Sequence, residues 1–515
     1  MAFGFWTLGF ICLGILAMLQ KNKEKTENLK TRPPVVVVLG HVDHGKSSLL
    51  EAIKDFEITS KESGGITQHV GAYEVDHQGK KITFIDTPGH EAFSAMRSRG
   101  AKIADIALLV VAADEGVKPQ TKEAILHIKK AGIPLVAVVN KIDKSEAEPE
   151  RVVRELSKED VLTETMGGKV PVVEVSAKTK KGITDLLEMI LLVAEMENLK
   201  ADVSKPAEGV VIESYMDCNR GPIATLILRG GVLKKGDIVG TSFAAGTVKI
   251  LEDFQGKPIE KALPSMPVIV MGFASVPGVG DKFKVFETAE QAEKEIKEEI
   301  SPIFPVAAET DKKILNLIIK ADFLGSLEAV CEVLKKLPQE KVLIRILKRE
   351  VGEVNESDVK LARGAKAKIL GFRVRISPIA KNLASRDKIT IINFEIIYEL
   401  VQAVRQLLEK MLGSETVRVD LGEIKILEIF KIEKARQIVG GRITDGLVKK
   451  GSLAEIFRRD ERIGKGKIIG LQRQKKDVEE AKKGSECGIL FEGNAAIEKG
   501  DALIVFGEER KKGQL

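Results

Sequence analysis

The chain has 515 residues, of which 44% are hydrophobic and 30% are charged, and its 81 lysines and arginines exceed its 75 aspartates and glutamates by six. At about 100–200 residues per domain, this length predicts roughly three to five domains and excludes a single small module. The composition is typical of a soluble globular protein and excludes a disordered, collagen-like or multi-span membrane protein.

The N-terminal segment, residues 1–20, departs from this composition. Ala2–Leu19 is an uncharged run of 18 residues followed by three lysines, which is just long enough to span a bilayer. Its basic flank favours an uncleaved anchor whose C-terminal side stays in the cytoplasm. A misassigned start codon and an interfacial helix are the alternatives, and the sequence leaves all three open. The polar residues 21–34, closed by two prolines, are predicted to be a linker.

A phosphate-binding loop follows the first strongly apolar strand. Val35–Leu39 is a β-branched run typical of a strand buried on both faces of a parallel sheet. Gly40–Ser47 fits G-x-x-x-x-G-K-[ST] and leads into a helical pattern, which is the strand, loop and helix order that this motif requires. We expect Lys46 to reach the β- and γ-phosphates and Ser47 to ligate Mg²⁺. The predicted phosphate contacts are Gly40, His41, Val42, Asp43, His44, Gly45, Lys46 and Ser47.

A second strand delivers the predicted catalytic segment. Lys81–Ile85 ends in Asp86, Thr87, Pro88, Gly89 and His90, at the carboxyl edge where α/β sheets bind ligands. Asp86 is expected beside the metal, through a water molecule, and Gly89 is expected to donate its N–H to a γ-phosphate. His90 is predicted to orient the attacking water, the role that a glutamine has in related GTPases.

The residues that follow two further predicted strands are expected to recognise the guanine base. Asn140, Lys141, Ile142 and Asp143 follow the apolar run Leu135–Val139. The Asp143 carboxylate can accept hydrogen bonds from guanine N1–H and the 2-amino group, which adenine does not offer, so GTP is expected to be selected over ATP. Another strand leads into Ser176, Ala177 and Lys178, which are predicted to back the base. Thr67, in the glycine-rich stretch Ser63–Gly71, is the remaining predicted Mg²⁺ ligand.

These motifs together resemble the translational GTPases. The glycine-rich version of the first switch, Gly64–His69, and the segment Ala321–Ala329 are similar to those of the bacterial translation initiation factor 2 family, and the resemblance runs from about Pro34 to Phe506. The resemblance implies a ribosome-activated GTPase that brings formylmethionyl initiator tRNA to the small ribosomal subunit and promotes joining of the large one. It also implies that Val42 and Ile66 flank His90 and limit its access to water.

The rest of the chain predicts three more domains. Short β-branched runs separated by Gly and Pro turns predict a β-barrel up to Phe286 and a second one from Val419. Gly231–Gly236 is echoed by Gly446–Gly451, so the two barrels are expected to be related, although chance similarity of glycine turns is the alternative. Between them, strand and helix signals predict an α/β sandwich, in which Cys331 is a core residue.

The predicted fold class is therefore multidomain α/β and β, with a P-loop GTPase domain, two β-barrels, one α/β sandwich and a long connecting helix. The amphipathic helix from Phe394 to Leu412 could be a rigid spacer, or it could pack on the preceding domain. The predicted divisions are 35–200 (GTPase domain), 205–288 (β-barrel), 289–310 (helical linker), 311–392 (α/β sandwich), 393–414 (connecting helix) and 419–515 (C-terminal β-barrel).

The resemblance places the acceptor end of the initiator tRNA on the C-terminal barrel. By matching the family's motifs, Arg473 and Lys475 fall on its basic strand and Glu486, Cys487 and Gly488 on its recognition turn. Gln474 and Gly441 depart from the aromatic residue and the cysteine that the family commonly has there. These two departures concern selection of the formyl group more than tRNA binding itself.

Two other functions remain as alternatives to an initiation factor. One is a GTP-gated binding module tethered to the membrane through Ala2–Leu19, with little hydrolysis; the other is a different ribosomal GTPase. The four cysteines are far apart and form no C-x-x-C pair, so neither a disulfide framework nor a structural zinc site is expected and a reducing, cytoplasmic location fits best. We expect a monomer off the ribosome and no DNA partner.

Overall fold

The computed structural model describes residues 29–54, 70–294, 296, 313–412, 414–433, 435–459, 461–474 and 476–512. The chain divides into two compact units, one up to Val404 and one from Arg405. Among the helices of those described ranges, none is long and apolar enough to cross a membrane. The predicted hydrophobic segment 1–20, the linker up to residue 28 and most of the predicted helical linker 289–310 lie outside them.

The first unit begins with a six-stranded sheet in the order β3-β4-β2-β5-β6-β7, in which only the β3–β4 pair is antiparallel. Its central strands are continuous apolar runs buried on both faces, as expected for a parallel sheet covered by helices. The strands are β2 (Val35–Gly40), β3 (Gly71–His77), β4 (Lys80–Asp86), β5 (Ile106–Ala112), β6 (Leu135–Asn140) and β7 (Val172–Glu174), and β1 (Leu29–Thr31) pairs apart with β8 (Lys200–Asp202).

Helices cover both faces of this sheet. Alternate residues of β2 enter two different cores: Val37 belongs to the core that also contains residues of α2 (Ser94–Ile103), α3 (Pro119–Ala131) and α4 (Pro149–Lys158). Val38 packs on the other face with α1 (Lys46–Ile53) and α5 (Ile183–Met196). This two-residue alternation is the pleat of the strand. The sheet's carboxyl edge is left open for the loops that carry the motifs.

A closed six-stranded barrel follows, with the strand order β10-β15-β13-β12-β16-β9 and antiparallel pairing throughout. Its interior holds a core that includes Leu226, Val270 and Phe283. The strands are β9 (Glu208–Asp217), β10 (Gly221–Gly230), β12 (Ile238–Gly240), β13 (Ala245–Asp253), β15 (Pro267–Phe273) and β16 (Lys282–Phe286), with the side pair β11 (Leu233–Lys234) and β14 (Lys261–Ala262), and α6 (Ala289–Lys294) follows.

Asp105 joins this barrel to the sheet. Its carboxylate accepts two hydrogen bonds from Arg32, at 2.6 and 2.8 Å, and one from Arg229 of β10 at 2.7 Å. The Val35 N–H also donates to it, at 2.9 Å. Burial opposes ionisation of this carboxyl group, yet Arg32 and Arg229 together lower its pKa. The Asp105 side chain is only 7% exposed, so the ion pairs are largely shielded from water.

Replacing Asp105 with alanine is expected to destabilise the first unit by about 3–5 kcal/mol, because Arg32 and Arg229 are left without their buried partner. The lowered pKa means that the stabilisation is fully present above the ordinary aspartate value of about 3.9 and is lost as the pH falls through the folded-state value. Urea unfolding of the first unit, followed by circular dichroism at several pH values, measures both effects through its midpoint. The control is Asp185→Ala, because Asp185 is an exposed residue of α5. If the Asp105→Ala and Asp185→Ala chains unfolded at the same urea concentration, the role of Asp105 would be contradicted.

An α/β sandwich completes the first unit. Its four parallel strands have the order β18-β17-β19-β20, and Cys331 is buried as predicted, at 3% exposure. The elements are β17 (Lys313–Ala321), α7 (Leu324–Lys336), β18 (Val342–Val351), α8 (Glu356–Gly364), β19 (Lys368–Phe372), α9 (Pro378–Asp387) and β20 (Ile391–Phe394).

The connecting helix, α10 (Ile397–Leu412), begins three residues later than the sequence predicted. Phe394 belongs instead to β20, where it is paired with Phe372 of β19. The apolar stripe of the helix is buried at Ile397, Leu400 and Val404, so its first turns pack within the first unit. That burial favours the packing alternative for the start of the helix, while a spacer role stays a prediction.

The second unit is also a closed six-stranded ring, because β21 pairs with both β28 and β22. Its core includes Ile456, Ile489 and Phe491. The ring strands are β21 (Ser414–Glu433), β22 (Arg436–Lys449), β23 (Leu453–Arg458), β24 (Glu461–Arg473), β27 (Glu486–Gly493) and β28 (Ala502–Lys512), with the short β25 (Lys476–Asp477) and β26 (Glu480–Lys482) beside them.

The two barrels share one pairing scheme. Taking the six ring strands of each in chain order, the first pairs with the second and sixth, the second with the fifth, the fifth with the fourth, and the fourth with the third. The echoed turns also match: Gly236 N–H donates to Val248 O, and Gly451 N–H donates to Ile468 O. The sequence echo therefore reflects repeated architecture rather than chance similarity of turns.

Candidate nucleotide site

The phosphate loop is shaped by two glycines. A Cβ atom at Gly40 would lie 2.3 Å from the Val110 carbonyl oxygen, and one at Gly45 would lie 2.5 Å from Asn140 Nδ2. Gly45 also has a φ of 81°, which favours glycine, and it precedes α1 with no side-chain cap on that helix. The first N–H groups of α1 are therefore not occupied by a capping side chain and are disposed to bind an anion.

Lys46 is folded back onto this loop. Its ammonium group donates to the His41 carbonyl at 2.6 Å, and the residue is 7% exposed. Burial lowers the pKa of Lys46 to about 8, although the Asp86 carboxylate favours the charged form. A phosphate group beside the ammonium would stabilise that charged form further. Lys46 is therefore held where a polyphosphate would be its natural partner.

Two of the predicted metal-site residues, Ser47 at the start of α1 and Asp86 at the end of β4, lie beside each other. Ser47 Oγ donates to Asp86 Oδ2 at 3.4 Å, and Thr87 Oγ1 donates to the Val38 carbonyl at 2.8 Å. A hydroxyl group beside a carboxylate is the hard-oxygen combination that Mg²⁺ prefers. Within the described ranges, no group of three or more His, Cys, Asp or Glu side chains could hold a metal. Thr67, the other predicted ligand, lies outside those ranges, as does Ile66.

His90 has a defined imidazole orientation. Its Nδ1 accepts a hydrogen bond from the Ala92 N–H at 2.9 Å, so the neutral ring carries its proton on Nε2. Nε2 is buried and has no hydrogen-bond partner among the residues that the structure describes. Burial lowers the pKa of His90, Glu91 opposes that effect and Arg97 adds to it. A neutral imidazole that has a proton on Nε2 can orient a water molecule by donating to it.

An aromatic side chain from α10 covers His90. The Tyr398 and His90 ring centroids lie 4.0 Å apart at an interplanar angle of 51°. Tyr398 is separated from His90 by most of the first unit along the chain, and no local pattern in the sequence signals this contact. The connecting helix is thereby placed directly against the predicted catalytic side chain.

The predicted guanine-binding residues are linked to the phosphate loop through Asn140. Its Nδ2 donates to the His44 carbonyl at 3.0 Å, and its Oδ1 accepts from the Ala177 N–H at 3.2 Å. Asn140 thus ties together three loops that come from separate strands. Asp143 is exposed, and its carboxylate accepts from Ser176 Oγ at 2.7 Å. This hydrogen bond lowers the pKa of Asp143, so the carboxylate is ionised at neutral pH.

The other predicted loop residues have structural partners of their own. His44 is fully buried, and burial lowers its pKa to about 4, so it is neutral at physiological pH. The Val42 N–H donates to Gln120 Oε1 of α3 at 3.0 Å, a contact that the sequence analysis missed. Lys141 lies 3.4 Å from Glu115, whereas Lys178 is exposed.

The predicted tRNA-binding residues form a different, smaller group in the second unit. Gln472, next to Arg473 at the end of β24, is paired with Gly488 of β27, and Glu486 is paired with Arg442. Lys475 lies outside the described residues. These positions bring Arg473 and Gly488 to neighbouring strands on one side of the barrel.

Cys487 points into the barrel core and is 5% exposed. It is therefore not a surface thiol, and burial raises the pKa of its thiol to about 11. It is paired with Gly441, where a Cβ atom would lie 2.7 Å from the Ile424 side chain. Gly441 therefore stands where a larger residue, such as the cysteine that the family commonly has, would press against Ile424.

Three protein families match consecutive parts of the chain up to residue 405. The family described as "Elongation factor Tu GTP binding domain" matches residues 32–196, "Elongation factor G domain 2" matches 206–286 and "Translation-initiation factor 2" matches 289–405. The protein named "Translation initiation factor IF-2" from Halothermothrix orenii is 43% identical over 94% of this chain and 73% of its own length. This chain belongs to the translation initiation factor IF-2 family.

A further IF-2 relative, from Carboxydothermus hydrogenoformans, is 43% identical over 96% of this chain, which spans 62% of that relative's length. A solved structure, GDP-bound aIF5B from Aeropyrum pernix, is 27% identical with a TM-score of 0.48 and covers 92% of each chain. The predicted family resemblance is confirmed, whereas the individual site residues stay predictions.

Proposed function

We propose that this IF-2 family chain is a ribosome-activated GTPase of translation initiation. The observation that carries the proposal is the Asn140 clamp, which joins the phosphate loop at His44 to the base-binding loop at Ala177. One nucleotide bound along these loops would place its phosphates at Lys46 and its base at Asp143. GTP is thus the expected substrate, and its hydrolysis to GDP and phosphate is the expected reaction.

Different residues at this site are expected to bind the phosphates, hold the metal ion and orient the attacking water. Lys46 neutralises the β- and γ-phosphates, and Gly89 donates its N–H to the γ-phosphate. Ser47 and Thr67 would hold Mg²⁺ directly and Asp86 through water; the ion would supply charge neutralisation at the phosphates. His90 orients the attacking water through Nε2–H, and Val42 and Ile66 limit its access to water until the ribosome rearranges the site. Tyr398, whose ring lies against His90, adds to this restriction.

We infer that the C-terminal barrel binds the acceptor end of formylmethionyl initiator tRNA. The support is the family's motif at Glu486–Gly488 together with Arg473, which lies on the neighbouring strand. Lys475 would add a further phosphate contact, and the buried Cys487 would act through its backbone and by filling the core. Small and large ribosomal subunits are the expected assembly partners.

The experiment is GTP-dependent binding of formylated and unformylated initiator tRNA to small ribosomal subunits in the presence of the full chain. Preference for the formylated tRNA supports the proposal and shows that Gln474 and Gly441 preserve selection. Arg473→Glu is expected to weaken tRNA binding about tenfold or more, by losing one phosphate contact and adding repulsion. Lys450→Glu, exposed elsewhere on the barrel, is the matched control. Absence of any tRNA binding would contradict the initiation role while leaving GTP binding intact.

A further inference from the structure

Arg97, on α2, is a fully buried arginine that the predicted mechanism does not use. It is 0% exposed and has the largest side chain among the fully buried residues of the described structure. A guanidinium group is costly to bury unless its charge and its N–H groups are matched by partners. Its partners therefore indicate what the arginine does.

Glu123 of α3 neutralises Arg97. The guanidinium Nη2 donates to both carboxylate oxygens, at 2.9 and 2.8 Å. The Glu123 carboxylate also lies 3.3 Å from His127 Nε2. These charge-assisted hydrogen bonds hold the Nη2 end of the guanidinium against Glu123. The other side of the guanidinium is thereby held at the segment that follows β4.

Nη1 holds that segment at two points. It donates to the Pro88 carbonyl at 3.0 Å and to the His90 carbonyl. These two carbonyls bracket Gly89. Gly89 itself lies against the phosphate loop, because a Cβ atom there would be 2.5 Å from Lys46 Nζ and 3.0 Å from the Val42 nitrogen.

Because the peptide unit is planar, the contact at the Pro88 carbonyl also fixes the direction of the Gly89 N–H. The Pro88 carbonyl and the Gly89 N–H belong to one planar peptide unit, in which the two groups point in opposite directions. When Arg97 holds the carbonyl, the N–H is directed away from α2. The bond to the His90 carbonyl fixes the His90–Glu91 peptide as well, and the Ala92 N–H fixes the imidazole through Nδ1 at 2.9 Å.

We propose that Arg97, held by Glu123, is the positioning residue that aims the Gly89 N–H at the γ-phosphate of GTP and keeps His90 over the attacking water. This inference rests on the proposed GTPase function. It assigns no contact between Arg97 and the nucleotide: the arginine acts through the two carbonyls. GDP lacks the γ-phosphate, so its binding does not depend on this arrangement.

The test compares Arg97→Lys, Arg97→Met and Glu123→Gln with Arg99→Met, a control on the same helix whose arginine pairs with Glu328 instead. Single-turnover GTP hydrolysis on assembled ribosomes is expected to fall about 100-fold in both Arg97 variants, because methionine has no N–H donor and lysine, whose side chain is one atom shorter, cannot reach both carbonyls while also pairing with Glu123. Glu123→Gln should lose less. GDP affinity should stay within about twofold, since a uniformly damaged site would lose both nucleotides.

The pH dependence of GTP hydrolysis distinguishes the positioning role of Arg97 from the effect of its charge on His90. Among the described residues, the charged groups that shift the pKa of His90 are Glu91 on its own segment and Arg97 from α2. Tyr398 from α10 lies against the imidazole, and Asp43 of the phosphate loop acts on Tyr398. Arg97→Met removes a positive charge, so the histidine limb of the hydrolysis profile should shift to higher pH. Arg97→Lys keeps the charge, so its rate should fall with little shift of the limb.

Normal hydrolysis by Arg97→Lys and Glu123→Gln on ribosomes, with normal GDP binding as proof of folding, would overturn the proposal. If the wild-type chain itself is not stimulated by ribosomes, the proposed function fails, and the role of Arg97 is then judged by nucleotide preference. Loss of the GTP over GDP preference in Arg97→Lys supports the positioning role in that case, and retention of the preference rejects it.

Discussion

Replacing His90 with alanine is expected to lower ribosome-stimulated GTP hydrolysis by at least about 100-fold, while GTP and GDP still bind. The imidazole is held by the Ala92 N–H at Nδ1, so its Nε2–H is available to position the attacking water. Without that donor, the water loses its orientation relative to the γ-phosphate, and misplaced reactants lose rate by factors of this size. Nucleotide binding depends on Lys46, Asn140 and Asp143 instead.

Single-turnover hydrolysis with and without ribosomes measures this effect, and fluorescent nucleotide binding checks the integrity of the site. His77→Ala is the matched control, because His77 ends β3 at the opposite edge of the sheet. If the His90→Ala variant hydrolysed GTP normally on ribosomes, water orientation would have to come from another group. Hydrolysis by the wild-type chain should decline on acidification through the lowered pKa of His90, since the imidazolium form replaces the neutral one.

The sequence was most informative where a motif and its structural context are local. Val35–Leu39, Gly40–Ser47 and the helix that follows are adjacent in the chain, and each residue type there is required by its own backbone or chemistry. Gly45, for example, needs a φ of 81° and closely approaches Asn140. The barrels were also predictable, because short β-branched runs separated by Gly and Pro turns are typical of barrel strands. Their relationship was predictable because the turn residues recur at matching positions.

Contacts between distant segments were not predictable. Glu213 of the first barrel accepts from the Gly325 N–H at 3.3 Å, so a barrel carboxylate sits at the first turn of α7. Gln120 reaches Val42, and Tyr398 reaches His90, from elements whose own sequence patterns only show that they are amphipathic. Such contacts depend on how helices and strands pack against one another, and local sequence patterns do not predict that packing. The start of α10 was missed for the same reason, since Phe394 is taken by pairing with Phe372.

Changing Asp143 to asparagine is expected to weaken GTP binding about 10²–10⁴-fold and to improve binding of xanthosine triphosphate. The carboxylate is predicted to accept two hydrogen bonds, from guanine N1–H and the 2-amino group, and losing two charge-assisted bonds has an effect of this order. An asparagine amide instead offers an N–H donor that faces the 2-amino group unfavourably. Xanthine has a carbonyl oxygen at that position and can accept from the amide.

Equilibrium binding of fluorescent GTP and xanthosine triphosphate to the wild-type and variant chains measures the exchange of preference. Asp160→Asn is a suitable control, because Asp160 is an exposed aspartate of the same domain with a positive φ that asparagine tolerates. Ser176 donates to the Asp143 carboxylate at 2.7 Å, and an asparagine can keep that contact through its amide oxygen. The loop geometry should therefore survive, and unchanged preference for GTP would show that the base is recognised by groups other than Asp143.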